Sequence, residues 1–223
     1  SIDCLTGDSA EPTSINTEGS STVLSTSEGS RLHMKDPVAF RTTDGPTQIV
    51  FCSHPFSWSS SNTGLASREA SGGSFRLVSK SLLERGPSWD VACARVTECL
   101  PLPQVGILES LPPLSLYFYD GAECLRPLDQ NPKAARRPRG YSCEELGGLA
   151  WGFDDEFPKL RRISEDFPLF VSPHATGCSR YASASFLADG TLAAAWQQVA
   201  ADGSQPLVGH SLVAEEVTRI LRV

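Results

Sequence analysis

The stretch Tyr181 to Gln197, YASASFLADGTLAAAWQ, holds the fold in miniature. Two strand-length segments, YASASFL and LAAAWQ, flank Ala188-Asp189-Gly190-Thr191, and an Asp-Gly step between such segments predicts a tight antiparallel hairpin. Beyond it, Leu207 to Leu212 (LVGHSL) and Val217 to Leu221 (VTRIL) read as two further strands. The last of these also shows helical spacing in Val217, Ile220 and Leu221, so a terminal helix is the alternative there.

The same grouping by four recurs upstream. Asp90 to Val96 (DVACARV), Leu114 to Tyr119 (LSLYFY), Gly148 to Phe153 (GLAWGF) and Leu160 to Ile163 (LRRI) form a second group. Asp36 to Arg41 (DPVAFR), Gln48 to Ser53 (QIVFCS), Gly64 to Arg68 (GLASR) and Phe75 to Lys80 (FRLVSK) form a first, with Thr43-Asp44-Gly45-Pro46 as the turn between its first two members. Gly, Pro, Asp and Asn punctuate all three. The expectation is an all-β, propeller-like fold of three four-stranded antiparallel blades, about 36–80, 90–163 and 180–223, spaced near the roughly 50-residue period of long-bladed propellers. An insertion around Pro127 to Glu145 lengthens the second blade, and residues 1–35, rich in Ser, Thr, Gly and Glu, read as a loose arm or one peripheral strand. Three blades are fewer than the typical four to eight of a closed ring. Further chain or another subunit, as in a homo-oligomer, is therefore expected to complete it.

Composition narrows the partners. With 19 basic against 26 acidic residues and a formal charge of −7, the chain has no general attraction for phosphate backbones or anionic lipid, so neither nucleic acid nor a membrane is expected. No apolar run approaches the roughly 20 residues of a membrane span, and Ser1-Ile2-Asp3-Cys4 lacks the marks of a targeting segment. The 7 cysteines cannot all pair within one chain, and no CxxC or Cys/His metal spacing occurs; Cys52 and Cys93, inside apolar strands, read as small hydrophobes. No cofactor or metal is expected, the motifs for nucleotide binding, α/β-hydrolase and zinc-protease chemistry being absent. The compartment stays open, with a secreted or extracytoplasmic setting favoured.

Aligning the three first strands places Asp36, Asp90 and Arg180 at one structural position, the start of an inner strand. Carboxylates from neighbouring inner strands can reach the spacing that acid/base cleavage of a glycosidic bond requires. The Lys35-Asp36-Pro37 start resembles the first-blade entry of five-bladed β-propeller glycosidases, the arabinanase, xylosidase and invertase group. Phe167 to Gly177 (FPLFVSPHATG) and the hairpin ADGTLAAAW are similar to blade junctions and hairpins of those enzymes and of sialidases. The resemblance implies glycoside hydrolysis, with Asp36 at the base position and Asp90 at the second acidic position. Where that family supplies a Glu as general acid, this chain has Arg180. Glu144 and Glu145 of the insertion, or His174 ahead of the third blade, are the substitute acids.

Each candidate also has a purely structural role open to it. Asp36 and Asp90 can cap turns; Glu144, Glu145 and His174 can be loop residues; Arg180 can clamp an anion or bridge to Asp36 or Asp90. Cys52 to Asn62 (CSHPFSWSSSN) puts His54, Phe56 and Trp58 in one loop, where aromatic faces and hydroxyls suit an oligosaccharide or polysaccharide and would equally fill a gap between blades. Lys133 to Arg139 (KAARRPR) is a basic run in an acidic chain, read as a solvated loop or an anion contact. The alternative to an enzyme is a non-catalytic module that binds a glycan or protein through His54, Trp58 and Arg180.

Overall fold

A computed structural model of the chain describes residues 1–7, 11–25, 33–41, 45–54, 60–69, 72–123, 126–127, 141–142 and 144–221. The loop holding Phe56 and Trp58, and the basic run 133–139, lie outside the described residues.

The described residues are all-β with one short α-helix. β1 (Ile2–Gly7) and β2 (Ile15–Leu24) form a hairpin. β3 (His33–Arg41), β4 (Thr47–His54), β5 (Asn62–Arg68) and β6 (Arg76–Leu83) form a four-stranded antiparallel meander, the first sheet. β7 (Cys93–Pro101), β8 (Leu114–Ala122), β11 (Glu145–Phe153) and β12 (Arg161–Arg162) make the second, with the two-residue strands β9 (Arg126–Pro127) and β10 (Tyr141–Ser142) paired inside its insertion. β13 (Ser179–Phe186), β14 (Leu192–Gln198) and β15 (Leu207–Leu212) make the third, and α1 (Ala214–Leu221) follows.

Two expectations are corrected here. Instead of an arm or one strand, the N-terminal region supplies two paired strands, whose Ile2 and Leu24 pack on Met34, Ile49, Phe51 and Ala66 and cover the outer face of the first sheet. The third sheet has three strands, because Val217 to Leu221 is helical: Ala214, Val217 and Leu221 are buried at helical spacing. The Val213 backbone N–H donates to Glu216 Oε2 at 3.2 Å, half of a capping box that also places acid at the positive end of the helix dipole.

The hairpin at Ala188-Asp189-Gly190-Thr191 forms as expected. Leu192 pairs with Phe186, the Leu187 N–H donates to Thr191 O at 2.8 Å, and the Thr191 N–H donates to Asp189 Oδ1 at 2.9 Å. Gly190 takes φ 83°, the left-handed turn conformation that glycine adopts without steric cost.

The second sheet is the middle layer. All nine residues of β8 are buried, and period-2 alternation divides them between two cores. Leu116 and Phe118 face the third sheet and α1, whereas Tyr117 and Tyr119 face the first sheet. Each fully buried Leu or Phe contributes about 1.5–3 kcal/mol, so these two interfaces dominate cohesion. The Gly147-Gly148 pair of β11 serves both. A Cβ on Gly147 would lie 2.0 Å from the Phe170 ring, on the third-sheet side. One on Gly148 would lie 2.5 Å from the Tyr119 ring, which stacks on Trp89 with centroids 5.5 Å apart. Adjacent strand residues point to opposite faces, so two aromatic layers that approach the backbone this closely need two consecutive glycines.

Candidate functional site

The first strands of the three sheets, β3, β7 and β13, are sheet edges, and β3 and β13 both lie along β7. On β7, Ala94 and Val96 turn into the core shared with the first sheet. Arg95, between them, turns the other way with its side chain 1% exposed. A guanidinium this deeply buried needs charged partners.

It has three. Arg95 Nη1 donates to Asp36 Oδ2 of β3 at 3.0 Å, and Nη2 donates to Asp120 Oδ2 of β8 at 2.6 Å and to Glu145 Oε1 of β11 at 3.0 Å. Glu145 is shared, its Oε2 accepting from Arg180 Nη1 of β13 at 2.7 Å. Arg180 is in turn fixed by Gln197 Oε1 at 2.8 Å and Gln205 Oε1 at 2.9 Å. Lys35 Nζ stands 3.1 Å from Asp36 Oδ2. The guanidinium of Arg95 thus takes the space among three carboxylates that a metal cation would need.

Burial works against charge on Arg95, but Asp120 and Glu145 outweigh it and hold its pKa well above the ordinary guanidinium value. Asp120 is pushed up to about 6, chiefly by burial; Arg95 pulls it down and Glu145 pushes it further up. The Cys52 and Cys93 thiols near Arg95 are both raised by burial, so they stay protonated and behave as small apolar fillers.

Strand irregularities shape the rim of this cluster. β3 slips register between Lys35 and Val38, and β13 does so between Arg180 and Ser183. The extra residues, Asp36 at φ 52° and Tyr181 at φ 54°, adopt a left-handed conformation that costs a side-chain-bearing residue about 1–2 kcal/mol. The matching bulges make Tyr181, not Arg180, the counterpart of Asp36, while Arg180 matches Lys35. The Tyr181 N–H donates to both oxygens of Asp120, at 3.0 and 3.1 Å. The Tyr181 ring lies over Arg95 and Arg180, their Cζ atoms 4.6 and 4.9 Å from its centroid, yet the residue is 42% exposed. The Asp36 side chain is 34% exposed.

Of the residues named from sequence, Asp36, Glu145 and Arg180 meet in this cluster. Asp90 does not join them. It precedes β7 instead of starting it, is fully buried, and accepts from Arg162 Nε at 3.0 Å, while Arg162 also donates to the Glu84 carbonyl. Asp90 thereby ties the loop before β7 to β12. Its neighbour Gly86 has no room for a Cβ, which would fall 1.9 Å from Asp90 Oδ1. Glu144 lies just before β11, and its two carboxylate oxygens are shielded and accept no hydrogen bond among the described residues. His174 is exposed in the turn before β13, where its N–H donates to Ser172 Oγ at 3.1 Å. His54 ends β4. Sequence reading missed Arg95, Asp120 and Tyr181. The signal for the first two was a lone charge inside an apolar run, CARV and YFYDG, which a strand buried on both faces tolerates only when paired.

Among the described residues no helix is long and apolar enough to cross a membrane. No protein-family model, no curated protein and no solved structure matches the chain.

Proposed function

We propose that this chain is a carbohydrate-active, propeller-like module that holds a sugar at the rim formed by Asp36, Lys35 and Tyr181. Three successive antiparallel sheets whose first strands lie edge to edge fit a propeller's order of blades. The observation that carries the sugar reading is the Tyr181 ring. It is exposed above two guanidiniums that fix its plane, and one of them, Arg95, also holds the half-open Asp36 carboxylate at 3.0 Å. A pyranose has an apolar face suited to a rigid aromatic platform and hydroxyls suited to a carboxylate that accepts at two oxygens. The buried Arg95, ion-paired with Asp120 and Glu145, acts as the mount.

Glycoside hydrolysis through Asp36 is a second reading. It is favoured by the left-handed backbone of Asp36, since strained conformations concentrate at working sites, and by the Asp-Pro strand start. Two-carboxylate cleavage needs a partner acid within about 5–9.5 Å. Here the neighbouring carboxylates, Asp120 and Glu145, are buried and ion-paired.

A glycan array and a panel of aryl glycosides separate the two. Binding should be saturable, and Tyr181→Ala should weaken it about tenfold, the equivalent of roughly 1.4 kcal/mol of ring contact. Turnover abolished by Asp36→Asn would select hydrolysis. Absence of any bound glycan, or binding indifferent to both substitutions, would overturn the carbohydrate reading.

A further inference from the structure

Between the second and third sheets, on the same side of β8 as the charge cluster but toward α1, lies an apolar cavity of about 240 Å³. We propose that it is a second binding site, for a small molecule built on one aromatic ring with at most one polar substituent. The site stands independently of the sugar reading.

Its floor is part of the core. Phe118 and Leu149 of the second sheet, Leu192 of the third, and Val217 and Leu221 of α1 all line it, each no more than 4% exposed. Protein interiors pack to crystal density, with few voids larger than a water molecule, and this space exceeds that by several waters. The space opens to solvent, but water against its apolar floor finds few of the two to four polar partners that an ordered water takes. Among the described residues, apart from His210, the only polar side-chain group in the lining is the Trp196 indole N–H, and that already donates to Gln198 Oε1 at 3.0 Å. Hydrocarbon-lined cavities of about 150 Å³ stay dry and accept benzene, so a substituted single ring fits the larger volume.

The aromatic character follows from one wall. Phe118 and Phe170 meet with centroids 6.5 Å apart at 52°, and Phe170 and Trp196 at 4.8 Å and 43°. A run of tilted rings presents both faces and edges to the cavity, the offset and edge contacts that a further ring prefers. His210, exposed on β15, is the polar group at the mouth, placed to meet a hydroxyl while the ring sits inside.

The test uses the full chain with p-cresol and toluene as probes, read by tryptophan fluorescence and by the thermal midpoint. Both should bind saturably. At ten times Kd the midpoint should rise by about 3–6 °C. Ala194→Phe, which fills the cavity from β14, should abolish the shift for both probes; Ala194→Leu, a smaller change, should weaken binding if the Phe variant does not fold. His210→Ala should weaken p-cresol at least threefold and leave toluene unchanged. Absence of saturable binding by the parent chain, equal binding by the filled variants, or a crystal structure showing the space filled by the chain's own residues would overturn the proposal.

Discussion

Replacing Arg95 by Met keeps a long apolar stem in place and removes the guanidinium. The structure sets the size of the loss. Glu145 retains Arg180 at 2.7 Å, but Asp120, fully buried, retains among the described residues only the Tyr181 N–H. Removing one partner of a buried ion pair costs about 3–5 kcal/mol, because the remaining charge has neither water nor a counter-ion. For a chain of this length each kcal/mol shifts the thermal midpoint by about 2–4 °C, so Arg95→Met should melt about 6–20 °C below the parent. Urea unfolding monitored by tryptophan fluorescence gives the free-energy difference directly. The loss should be greatest near neutral pH and shrink toward pH 4, where an orphaned Asp120 is relieved by a proton. A loss under about 1 kcal/mol at pH 7, or one independent of pH, would refute the claim that Arg95 is the counter-ion that neutralises Asp120 and ties the first sheet to the second.

Two further predictions concern the same framework. The folded pKa of Asp120 lies above its unfolded value, so its contribution to stability is fully present below about pH 4 and is lost as pH rises through about 6. The stability of the parent minus that of Asp120→Asn should therefore fall across that window by at most about 1.4 kcal/mol per pH unit, and a flat or rising difference in denaturant titrations would count against it. Gly148→Ala forces a methyl group to within 2.5 Å of the Tyr119 ring, which Trp89 prevents from moving. Overpacking of this kind costs about 1–3 kcal/mol, and an unchanged urea midpoint would show that the aromatic stack yields more readily than the geometry implies.

What the sequence determined by itself was local: segments of strand length, the punctuation between them, and the Asp-Gly hairpin. These depend on neighbours a few positions apart. It also carried the helix at Val217 to Leu221 as an alternative, since that spacing is a local property too; what decided for helix was burial of Ala214, Val217 and Leu221 against the third sheet and its neighbours. The site was legible only in part. Asp36, Glu145 and Arg180 were named, but Arg95, the partner of both acids, was not, because its meaning depends on residues 59, 25 and 50 positions away in the chain. Of the adjacent acids Glu144 and Glu145, only the latter, the first residue of β11, reaches Arg95 and Arg180. Bulges in β3 and β13 changed the alignment by one residue, making Tyr181 the counterpart of Asp36, while Asp90, which precedes β7, has its own ion pair with Arg162. A bulge is a mismatch between two paired strands, so no single segment encodes it. The tertiary structure alone decided which charges meet, because three sheet edges from distant parts of the chain had to come together before any of them could be paired.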